Sequence, residues 1–133
     1  MKAVYTEIEL TNCMDGLDAR KGIIEEGKTR RTEVVMRVSQ GVFTLAINEN
    51  IQADLQLSFV EKRPVQLADG RIVDCDVVGP IDVKFANKMT LCNAYVLPGE
   101  SEPVLGSIAM LGMNVLVDAE KRELVVNPKL PKL

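Results

Sequence analysis

Residues 38–47 read Val-Ser-Gln-Gly-Val-Phe-Thr-Leu-Ala-Ile, and the fold turns on how this stretch is understood. Two stiff apolar runs meet at a corner made of Ser39, Gln40 and Gly41. Apolar and β-branched side chains favour extended, half-buried backbone, whereas a polar pair followed by glycine marks a sharp turn. A strand broken in this way points to a corner that holds something.

Before the corner, "TEVVMRV" (32–38) reads as a strand. After it, "NENIQADLQL" (48–57) changes period: Ile47, Ile51 and Leu55 recur at helical spacing, and Asn48 is placed to cap a short helix. "AVYTEIEL" (3–10) alternates, with Val4, Thr6, Ile8 and Leu10 on one face and Tyr5, Glu7 and Glu9 on the other. Residues 11–22, carrying Asn12, Asp15, Gly16, Asp18 and Gly22, read as a long loop, followed by a strand from Gly22 to Glu26. "VQLADGRIV" (65–73) is a hairpin in which Asp69-Gly70 supplies the positive φ angles of a type I′ turn. Gly79-Pro80 separates "IVDCDVV" from "IDVKF", and Asn87-Lys88 turns the chain into "MTLCNAYVL". A brief helix starts at Ser107, and "NVLVD-AEKR-ELVVN" (114–127) is a closing hairpin. Many short strands with little helix predict an all-β barrel or sandwich. The expected organisation is one domain over 1–128 with a C-terminal tail over 129–133, inside the proline-rich "PKLPKL".

Composition narrows the function. A chain of 133 residues fits one core of ordinary size. The net charge of −3, a single basic cluster "KTRR" (28–31) and few aromatic residues argue against a nucleic-acid partner. No apolar stretch is long enough to span a bilayer and the first ten residues alternate, so a soluble, cytoplasmic protein without a membrane partner is expected. There is no histidine, which removes the usual general base and with it Ser-His-Asp and Cys-His chemistry. Cys13, Cys75 and Cys92 are far apart and make a poor zinc set, so no metal and no cofactor are expected. Asp74 and Asp76 share one strand face, with Cys75 and Val77 on the other, and are expected to face solvent rather than form a catalytic pair.

Taken in order, the corner, "LADGRIV", "VVGPIDVKF" and "AYVLPGESEPVLGSIAMLGMNVLVD" are similar to segments of the retropepsin-like (clan AA) aspartic peptidases of bacterial single-domain type. The resemblance spans roughly residues 1–128 and rests most on Val104-Leu105-Gly106. It implies an all-β, closed acid-protease barrel with one or two short helices, a homodimer, and an extended peptide or protein segment held beneath the hairpin as a flap. In that family the corner reads Asp-Thr-Gly, and two protomers' carboxylates share a proton to activate water. Here Ser39 stands at the Asp position, Gln40 at the Thr position, Gly41 at the Gly position and Val42 just after it. A serine hydroxyl is no base, and no histidine is present to activate it as a nucleophile. The resemblance therefore implies a proteolytically inactive homodimer that retains a peptide groove or a scaffolding role. Its groove and flap would involve Val42, Leu67, Ala68, Asp69, Gly70, Arg71, Leu105 and Gly106. The alternatives left open are a working aspartic-type or other hydrolase, and a subunit paired with an Asp-bearing protomer.

Overall fold

Alternation drives the first strand. In the computed structural model, which describes residues 3–133, β1 (Val4–Asn12) buries Ile8 and Leu10 and turns Tyr5 and Glu7 outward. The first two residues of the expected 1–128 domain lie outside the described residues. β1 pairs antiparallel with β2 (Arg31–Val38) along its length, Val4 opposite Val38 and Thr11 opposite Arg31. The remaining strands are β3 (Leu45–Asn48), β4 (Ser58–Gln66), β5 (Ile72–Phe85), β6 (Lys88–Leu97), β7 (Val104–Leu105), β8 (Val115–Asp118) and β9 (Glu123–Val126). The helices are α1 (Cys13–Arg20), α2 (Glu49–Leu55) and α3 (Ser107–Met113).

Seven strands form one sheet in the order β1-β2-β7-β3-β6-β5-β4, and the end of β1 also pairs with the second half of β5. The sheet therefore curls around a core that includes Ile8, Leu10, Met36, Leu45, Ile47, Leu55, Ile81 and Leu105, each fully buried. β2–β7 and β3–β6 run parallel, the other pairs antiparallel. β4 ends the order as an open edge, and β8–β9 stand in a two-stranded sheet of their own. Charged residues and Pro64 along β4 suit an edge that must not recruit another strand.

This corrects the expected fold. The chain is mixed α/β: among the described residues it builds three α-helices of eight, seven and seven residues and two sheets, not an all-β barrel of retropepsin-like type. The resemblance to the retropepsin-like aspartic peptidases does not hold, because it was carried by the order of segments along the chain. Order in sequence does not dictate which strands become neighbours.

Local corrections follow the same logic. Residues 13–20 are a helix rather than a loop: Asn12 Oδ1 accepts from the Asp15 amide at 3.1 Å as the N-cap. Asp15 is then gripped by Arg30, with Nε at 2.7 Å and Nη2 at 2.8 Å, plus the Arg30 amide at 3.0 Å. No strand forms over Gly22–Glu26, and a single 3₁₀ turn occupies Glu26–Lys28. The 65–73 hairpin is present, but its turn is not type I′. Only Gly70 takes a positive φ (+88°), while Leu67 N donates to Arg71 O at 2.8 Å and Gly70 N to Leu67 O at 2.9 Å. This is a three-residue loop with glycine in the left-handed region. β5 runs unbroken through Gly79-Pro80, with its register to β6 shifting between Val78 and Ile81. The α2 cap at Asn48, the start of α3 at Ser107 and the 114–127 hairpin form as expected.

The Asp15–Arg30 pair gives the fold a pH dependence. The guanidinium hydrogen bonds hold the Asp15 carboxyl below its ordinary value, against an opposing push from burial. A group with a lowered folded pKa contributes stability above its unfolded value, about 3.9, and loses it as pH falls through the folded value. Wild-type protein is expected to lose stability more steeply than Asp15→Asn as pH drops below about 4. Urea unfolding followed by circular dichroism at stepped pH checks this; parallel acid limbs would remove the assignment.

Candidate functional site

The outer face of the curled sheet carries a trough, and strand alternation builds it. Along β4, Glu61, Arg63 and Val65 are i, i+2 neighbours, continued by Leu67 in the hairpin; along β6 the same spacing gives Leu91, Asn93, Tyr95 and Leu97. Val42, Thr44 and Ala46 line up from the segment after the corner into β3. These three rows enclose two adjoining lobes. One, about 550 Å³, lies under the hairpin and is walled mainly by Val42, Ala46, Val65, Leu67, Leu97 and Val104. The other, about 440 Å³, is walled by Phe43, Leu91, Ile108 and Cys92, with Glu61 and Arg63 on its β4 side. Thr44 and Tyr95 belong to both, so the lobes meet there.

The charged groups in the trough are already paired. Arg37 Nε donates to Glu102 Oε1 at 2.7 Å, and Tyr5 OH donates to the other Glu102 oxygen at 3.0 Å. Asp69 accepts from the Arg71 amide at 2.9 Å and from Arg71 Nε at 2.7 Å, and these bonds hold the Asp69 carboxyl below its ordinary value. Arg63 Nε donates to Glu61 at 2.8 Å and Nη1 to Tyr95 OH at 3.2 Å. Burial pushes the Cys92 thiol up to about 11, leaving it protonated at neutral pH. Ser101 Oγ donates to Pro98 O at 2.6 Å.

The residues expected to form the site are divided by the structure. Val42, Leu67, Ala68 and Asp69 line the hairpin lobe. Gly70 and Arg71 sit exposed at the hairpin tip. Leu105 is fully buried and Gly106 packs against the 42–44 backbone, so both support the trough from beneath rather than line it. Ser39 and Gly41 stand apart from both lobes, and Gln40 lines a separate hollow against α3 with Ser107, Met110 and Leu111. The corner is held by Ser39 N to Leu105 O at 3.0 Å and Ser107 N to Val42 O at 2.8 Å. No carboxylate occupies position 39, 40 or 41. Among the described residues, no group of three or more His, Cys, Asp or Glu side chains converges to hold a metal ion. The expected inactive peptidase, with Ser39-Gln40-Gly41 as a corner that has lost its carboxylate, falls together with the barrel. Asp74 is exposed and Asp76 pairs with Lys62 at 3.0 Å, as a solvent-facing pair should.

Sequence reasoning missed Thr44, Glu61, Arg63 and Tyr95. The period-two signal places Glu61 with Arg63 on one face of β4 and Tyr95 on one face of β6, but it does not bring those faces and Thr44 to the same side of one trough. Among the described residues, no helix is long and apolar enough to cross a membrane. No protein-family model matches the chain, and no curated protein matches it.

Proposed function

We propose that this protein binds an extended segment of polypeptide along the trough. The observation that carries the reading is the pair of adjoining lobes set along β6 from Leu91 to Leu97. At about 3.3 Å per residue that row is about 20 Å long, the length of a short strand rather than of a compact small molecule. Apolar side chains gather at both ends, and polar ones stand where the lobes meet. Alternating side chains of an extended ligand match such spacing, and concave apolar walls with a few placed polar groups are the usual form of a binding site. The paired state of Arg37, Glu61, Arg63, Asp69 and Glu102 suits holding a ligand more than turning it over.

Fluorescence anisotropy with labelled nine-residue peptides of alternating leucine and serine tests the proposal. Saturable binding is expected, and Thr44→Trp, which fills the junction of the lobes, should weaken it at least tenfold while leaving the circular dichroism spectrum unchanged. Binding that ignores Thr44→Trp, or none at all, removes the trough as the site.

A further inference from the structure

Arg63 lines one lobe on its β4 side and is bonded to Tyr95, where the two apolar lobes meet, so its guanidinium is fixed beside the junction before any ligand arrives. Nε is tied to Glu61 at 2.8 Å and Nη1 to the Tyr95 hydroxyl at 3.2 Å. A guanidinium has five N–H donors in a rigid fork. Two are used here, and Nη2 makes no protein hydrogen bond among the described residues. Tyr95 OH accepts from Arg63, which leaves its own proton to donate. The junction thus offers donors from two side chains held together, within a trough that is apolar on both sides. Glu61 lies next to this cluster and offsets part of its charge.

From this we infer that Arg63 sets the specificity of the trough, which takes a segment bearing an aspartate or glutamate at the junction, with apolar side chains about two residues away on either side. The inference rests on the polypeptide reading above. A carboxylate is the side chain that accepts from both Arg63 and Tyr95 without needing a donor in return. A lysine there would meet the guanidinium and be disfavoured. Because the site is open and Glu61 is close, the preference is moderate and weakens as salt screens it.

The test uses the full chain and four labelled nine-residue peptides of alternating leucine and serine, differing only in a central Asp, Gln, Ala or Lys. The Asp peptide should bind roughly tenfold more tightly than the Ala peptide, as a charge-assisted hydrogen bond allows, with Lys weakest. Arg63→Met keeps the apolar stem and removes the fork, so all four peptides should then bind alike. Arg63→Glu should reverse the order in favour of Lys, a result that a merely structural role for Arg63 cannot produce. If all four peptides bind wild-type protein equally, or if the Asp preference survives Arg63→Met, the inference is wrong and the binding trough stands. If none of the four binds, both readings fall.

Discussion

Gly106→Ala is expected to destabilise the protein by about 3 kcal/mol or more, because the added methyl meets backbone that cannot retreat. Gly106 has φ −90° and ψ 179°, a conformation open to any residue, so the requirement for glycine is one of space and not of backbone angle. A Cβ there would press on the Thr44 carbonyl oxygen, lie 2.6 Å from Val42 O and 2.9 Å from the Phe43 carbonyl carbon. Two of those peptide groups are pinned, Val42 O by Ser107 N at 2.8 Å and Phe43 O by Ile108 N at 3.0 Å. Making room means breaking these bonds at the start of α3 and moving the row that lines the trough. Gly41→Ala is the matched control: its Cβ would meet only Ser39 Oγ, at 3.9 Å, and a change within about 0.5 kcal/mol is expected. Urea denaturation of the two variants side by side checks the contrast. Equal stabilities would mean that the close approach lies elsewhere.

Asn12→Ala ranks next, with an expected loss of about 2–4 kcal/mol. Asn12 is 5% exposed and joins two helices. Its Oδ1 caps α1 through the Asp15 amide at 3.1 Å, and its Nδ2 donates to Leu55 O, the last residue of α2, at 2.9 Å. Losing the cap costs about 1 kcal/mol. The larger share comes from a buried carbonyl left without its donor, about 1–3 kcal/mol. Asn12→Ser tests the division, since a shorter hydroxyl can still cap α1 but cannot reach α2; it should recover the smaller share only. Amide exchange in α1 should accelerate in Asn12→Ala and stay near wild type in Asn12→Ser. Identical stability for both variants would place the whole effect at Leu55.

The legible parts of the fold were those whose signal is local. Val4, Thr6, Ile8 and Leu10 lie inward on β1 because side chains alternate along any strand. α2 starts at Asn48 because a capping side chain reaches only the amide three residues on, here at 2.9 Å. α1 was illegible for the opposite reason. It carries Gly16 and no apolar stripe, and its buried carboxylate is matched by Arg30, fifteen residues away. The trough was half legible: Val42, Leu67, Ala68 and Asp69 were among the expected residues, while Arg63 and Tyr95 acquire a role only through each other.

By itself, then, the sequence determined the first strand and its inward face, the strand before the corner, the 65–73 and 114–127 hairpins and two of the three helices among the described residues, since these depend on neighbours within a few residues. Tertiary structure alone decided the fold class, the parallel pairing of β3 with β6 and of β2 with β7, the closeness of Gly106 to the 42–44 backbone, and the meeting of Arg63 with Tyr95. Those follow from which strands become neighbours as the sheet curls around its core. That choice is made by packing between residues distant in the chain, and no short periodicity records it.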